Sequence, residues 1–156
     1  MKRSILIAVF VVVALVALGS FIYNPLPPSP AGRKAVAQLI NVQTFSLGPA
    51  GASSVFAERE DAFFAILSSR HASALFRELF ERGTSEAQLY ALCGLKLTDR
   101  TSFDACASRF LSETSTVATL SGCMGRDATR TEAITAVRSG FVEQHVKFRR
   151  THERGF

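Results

Sequence analysis

The sequence predicts an all-α domain of short antiparallel helix pairs, carried behind an N-terminal helix directed to a membrane. Three observations predict it. The chain opens on a long apolar run with no charge between Ser4 and Tyr23. A stretch holding four of the five prolines follows. Beyond it, apolar residues recur at helical spacing in short blocks separated by turn residues.

Residues 1–23 read as a membrane anchor or signal peptide. Lys2 and Arg3 precede the run Ile5 to Leu18, and Phe21-Ile22-Tyr23 extends it. Ile5 to Tyr23 would span roughly 28 Å as a helix, close to the hydrocarbon thickness of a bilayer. The leading positive charges belong on the cytoplasmic side, which sends the C-terminus outward. Tyr23 is expected at the interface. A cleaved signal peptide, with Ala17-Leu18-Gly19 as its small-residue site, is the competing reading. The run continues past that site, which favours the uncleaved anchor. Ser20 stands where a lipoprotein signal needs Cys. Residues 24–32 then form a stiff polyproline-type spacer.

The folded part is expected over residues 33–148, with a basic tail at 149–156. Arg33 to Ile40 reads as a short helix, and Val42 to Leu47 alternates weakly, as extended chain does. Gly48 to Ser54 is a loop. Val55 to Ser69 is a helix with Phe56, Phe63, Phe64 and Leu67 as core candidates, and Ser54 stands at its N-cap. Ala72 to Arg82 follows with Leu75, Phe76, Leu79 and Phe80 in a stripe, and Gly83 ends it. Thr84 caps a third helix, Ala87 to Leu97, apolar nearly all round and therefore central. After the turn Thr98 to Thr101, Ser102 caps a helix with Phe103, Cys106, Ala107, Phe110 and Leu111 inward. Val117 to Cys123 is a short β-prone stretch, and Thr131 to Ser139 is the last helix. Phe141 to Phe148 reads as a strand.

Three cysteines, Cys93, Cys106 and Cys123, make an odd count for an exported domain. Cys93 and Cys106 flank the turn at Asp99 at similar distances, and Cys123 could return over the buried helix to Cys93. Both pairings stay open on spacing alone. No histidine stands in an arrangement that would activate a cysteine, and no Cys/His spacing suits a metal.

The stretch Phe80-Glu-Arg-Gly-Thr-Ser-Glu-Ala-Gln-Leu-Tyr-Ala-Leu-Cys-Gly-Leu95, with Asp99 and Phe103, resembles the helix-pair units of HEAT-like repeats. It is also similar to small exported bacterial proteins that share the pattern "GT-x-x-x-Q-L-Y-A-L". The resemblance covers roughly residues 43–125 and implies a helix-pair fold; it carries no catalytic residues and so says nothing about activity. Its cysteine pattern implies a Cys93–Cys123 disulfide, which would stabilise by about 3–4 kcal/mol.

The formal charge of +5 comes from the ends of the chain, since residues 31–137 balance 11 basic against 11 acidic side chains. This distribution argues against a nucleic-acid-binding face. Glu58, Glu60 and Asp61 read as a solvated helix face, and Arg77 with Glu81 as a surface ion pair. His145 and His152 are expected exposed. There is no G-x-S-x-G elbow and no phosphate loop. The tail from Lys147 mixes bases with aromatics, a pattern suited to anionic headgroups or an acidic partner. The resulting expectation is a non-enzymatic, membrane-tethered interaction domain facing outward from an inner membrane, with an envelope protein as partner. No cofactor, metal or small-molecule substrate is indicated. A secreted domain, a small envelope enzyme and an inhibitor or immunity-type protein are the alternatives.

Overall fold

The computed structural model describes residues 28–47, 54–121 and 124–152. The expectations for Ile5, Leu18 and Tyr23, for Phe56 and for Cys123 lie outside the described residues or side chains. Among the described residues no helix is long and apolar enough to cross a membrane.

The described chain is mostly helical, with one small two-stranded sheet. Helix α1 (Pro30–Leu39) starts at Ser29, whose hydroxyl accepts from the Gly32 N–H at 3.1 Å, while Pro30 pre-sets φ for the first turn. It buries Ala35, Val36 and Leu39. Helix α2 (Ser54–Leu67) turns Ala62, Phe63 and Ile66 inward. Phe64 and Leu67, two of the expected core residues, are only partly buried. Helix α3 (Ala72–Arg82) buries the expected stripe Leu75, Phe76, Leu79 and Phe80.

Helix α4 (Ser85–Thr98) is the axle of the fold. Thr84 caps it, accepting from the Ala87 N–H at 3.2 Å, and Leu89 to Leu95 are buried all round. Gly94 explains how closely α3 and α4 approach. A Cβ there would overlap the Phe76 ring, closer than real Cβ contacts come. A Cβ on Gly83 would likewise meet Ala87, so the connection between the two helices is tight as well. Gly83 itself is extended rather than left-handed, with φ −88°.

Helix α5 (Arg100–Leu111) starts one turn earlier than the sequence suggests. Asp99, not Ser102, is its cap, because a carboxylate accepts the Ser102 N–H at 3.0 Å and hydroxyl at 2.6 Å together. Phe103, Cys106, Ala107 and Phe110 are buried, whereas Leu111 is 37% exposed.

The all-α expectation needs correction at the hairpin. Strands β1 (Val117–Ser121) and β2 (Met124–Ala128) pair antiparallel, with Val117 opposite Ala128 and Ser121 opposite Met124. The other edge of β1 takes Phe45. The Phe45 N–H donates to the Ala118 carbonyl and the Leu120 N–H to the Phe45 carbonyl, each at 2.8 Å. The Ala118 N–H would be orphaned there, and it donates to Glu86 Oε1 at 3.0 Å. Of the expected extended stretch Val42 to Leu47, only this single bridge is strand-like.

Helix α6 (Arg130–Arg138) opens on a full capping box between Thr129 and Glu132. Gly140, at φ 95°, makes the left-handed turn into helix α7 (Phe141–His152). This segment was expected as a strand followed by a tail. It is helical because Val142 and Val146, with His145 and Arg149, form one i, i+4 face against the body.

Candidate interaction face

The candidate face is built where α7 packs over the end of α4. Lys96, in the last turn of α4, has a side chain only 4% exposed. Its ammonium donates to the Val137 carbonyl at 2.6 Å, the Arg138 carbonyl at 3.3 Å and Glu143 Oε1 at 2.8 Å. Two of these are terminal carbonyls of α6, which otherwise lack partners. The buried cation is therefore fully hydrogen-bonded, as a desolvated charge must be. Burial pushes the Glu143 pKa up, but the Lys96 hydrogen bond, a backbone hydrogen bond and the nearby Lys96 and Arg100 charges together outweigh it, and the net shift is downward.

Beside this tie lies a groove of about 380 Å³, lined by Leu97, Glu143, Val146, Lys147, Arg150 and Thr151. Leu97 and Val146 form the apolar floor. Lys147 and Arg150 stand three residues apart on α7, so they share a face of the helix at its rim. Glu143 is committed to Lys96. Among the described residues, Lys147 and Arg150 have no acidic partner, in contrast to Arg82, Arg100, Arg109, Arg130 and Arg149. Phe148, on the adjoining face of α7, is 58% exposed.

Neither a protein family, nor a curated protein, nor a solved structure matches this chain. The functional reading therefore rests on the side chains themselves.

Of the acidic cluster, Glu58 and Asp61 are exposed, as a solvated face requires, whereas Glu60 is turned into the fold. Glu60 meets His145 Nε2 at 2.9 Å and Arg149 Nη1 at 3.2 Å, and Asp61 pairs with the other guanidinium nitrogen of Arg149. Arg149 also stacks on the Phe64 ring at 4.4 Å. Glu60 and His145 side chains are 17% and 12% exposed, which corrects the expectation that His145 faces solvent. This carboxylate–imidazole pair is occupied in holding α7 to α2, and Arg149 fills its open side. The His152 side chain lies outside the described residues.

Arg130 is a second clamp, and sequence reasoning missed it because a lone Arg after a Thr gives no signal of burial. It is 3% exposed and stacks on Phe110 at 4.2 Å. Its guanidinium donates to the Phe110 carbonyl (3.2 Å), Ser85 Oγ (2.7 Å), Ser115 Oγ (2.9 Å) and Glu113 Oε2 (2.5 Å). It thus joins the N-terminus of α4 to the C-terminus of α5.

Glu81 does not pair with Arg77. It takes Arg109 of α5, with Arg109 Nη2 donating to Glu81 Oε2 at 2.9 Å. That hydrogen bond holds the Glu81 carboxyl below its usual range. The i, i+4 pair on α3 is instead Glu78 with Arg82.

Cys93 and Cys106 are buried free thiols, so the Cys93–Cys106 pairing is absent. Burial pushes both thiols up in pKa, the opposite of what a nucleophile needs. Cys123, the other expected partner of Cys93, lies outside the described residues. Among the described residues no group of three or more His, Cys, Asp or Glu is placed to hold a metal.

Proposed function

We propose that this chain is a membrane-tethered, non-enzymatic interaction domain, with the groove between α4 and α7 as its working face. In this reading residues 1–23 anchor it to an inner membrane, the proline-rich segment spaces it, and the α3–α4 pair is a HEAT-like unit at its centre. The observation that carries the proposal is the groove: an apolar floor under two cations whose charge the domain does not use. Several other strong polar groups are engaged within the fold. Arg130, Lys96, Asp99 and the Glu60–His145–Arg149 cluster each tie two elements together.

A photo-crosslinking residue at Thr151, in the full chain expressed in native membranes, tests this reading. The expected result is a chain that resists alkaline carbonate extraction and forms a defined adduct from Thr151. A crosslinker at Ser112, at the far end of α5, should give none. Extraction of the chain into the carbonate supernatant would remove the tether. Equal adduct patterns from the two positions would remove the face.

A further inference from the structure

We propose that the α4–α7 groove takes the headgroup of an anionic phospholipid, docking the domain onto the membrane that anchors it. The proposal rests on the tethered reading above and names the partner of that same face. Lys147 and Arg150 line the groove one turn apart, a spacing at which two cations can bracket one phosphodiester. Leu97 and Val146, which line the same groove, suit the glycerol and upper acyl carbons. Glu143 does not oppose the anion, because Lys96 neutralises it from inside the fold.

Arg100 also acts on the Glu143 carboxylate, but its charge is paired with Asp104 at 3.6 Å, so Lys147 and Arg150 carry the positive potential of this face. The Arg138 carbonyl binds Lys96, which places the C-terminal end of α6 beside this tie. The charge is thus one-sided where the fold leaves an apolar recess.

The tether makes a lipid the favoured occupant over a diffusing partner. An extended chain six residues long, the length of 24–29, reaches roughly 20 Å. An anchored domain would meet headgroups constantly, at a high effective concentration.

The test uses the full chain with Thr151→Trp, since the native sequence has no tryptophan and position 151 lines the groove. It is reconstituted into nanodiscs of phosphatidylcholine, alone or mixed with phosphatidylglycerol. Docking predicts a blue shift of the Trp emission in the mixed discs only, reversed at high salt. Lys147→Ala with Arg150→Ala should lower the ratio of docked to undocked chain by roughly thirty-fold, from two cations near a charged surface. An unchanged thermal midpoint for that variant keeps misfolding apart from lost binding.

Equal emission in both disc types would overturn the proposal, as would a phosphatidylglycerol shift that survives the double substitution. A shift produced by poly-glutamate and not by phosphatidylglycerol would overturn it in favour of an acidic protein segment. The tether is read separately, from co-purification with discs of phosphatidylcholine alone. A chain that enters no such disc, yet responds to phosphatidylglycerol vesicles through Lys147 and Arg150, would remove the anchor and keep the docking site.

Discussion

The Tyr90 hydroxyl serves both backbone groups of Ser46, donating to its carbonyl at 2.5 Å and accepting from its N–H at 3.0 Å. Ser46 is 2% exposed and Tyr90 is fully buried. One side chain on the central helix therefore fixes the segment that bridges to β1 through Phe45. Tyr90→Phe would leave two buried backbone groups unpaired, at about 1–3 kcal/mol each. The expected outcome is a fall of about 2 kcal/mol or more in unfolding free energy, read as a lower urea midpoint at unchanged slope.

The same tyrosine sets an alkaline limit. Burial pushes its pKa up to about 12, against 10.0 for the ordinary side chain. The unfolded chain loses this proton first as pH rises. Its contribution to stability is thus complete below pH 10 and is lost as pH climbs through 12. In a pH series of thermal melts, Tyr90→Phe should flatten this alkaline decline.

An acid limit comes from Asp99. Hydrogen bonds from the Ser102 hydroxyl and N–H, then from the Ser73 hydroxyl, lower its pKa to about 2 from 3.8. A depressed carboxylate stabilises above pH 3.8, and that support is lost as pH falls through 2. Asp99→Asn should weaken the dependence of the melting midpoint on pH across this window.

These features were unequally visible in the sequence. The α3 stripe and the all-round apolar α4 could be read directly, because their inward positions are all apolar. Helix α7 could not, because two of its inward positions are His145 and Arg149. Polar residues on the packed face break the 3.6-residue hydrophobic period, and the partners that permit them, Glu60 and Asp61, lie far away in sequence. The Asp99 cap was obscured by a neighbouring Ser102 of equal local merit. The basic end of the chain was legible as charge. The apolar recess beside it was not, since Leu97 reaches it from another helix.

Gly94→Ala tests the close contact of α3 and α4. A methyl there must displace the Phe76 ring, which is fully buried. Overpacking of this kind costs about 1–3 kcal/mol, and chemical denaturation should show a loss in that range. Pairing the change with Phe76→Leu should restore part of it.

Arg130→Met should destabilise by about 1–3 kcal/mol, because it strands the buried Phe110 carbonyl and releases the part-buried Ser85 and Ser115 hydroxyls. Arg130→Lys should recover little, since an ammonium cannot span Phe110, Ser85 and Ser115 together. Thermal melts of the two variants check this.

Cys93 should resist maleimide in the folded chain and react only on unfolding, given its complete burial. Peptide mapping after native labelling checks this. Recovery of a Cys93–Cys123 cross-linked peptide instead would establish the disulfide that the resemblance to small exported bacterial proteins implies.

The bridge between Phe45 and Thr119 draws the two sides of the molecule into one loop, with α2 to α5 strung between its ends. During synthesis the first half of the domain must wait for the second. Until β1 has been made, Phe45 has no strand to join and the four intervening helices have no closure. Completion of this fold is therefore a late event, timed by the arrival of the hairpin.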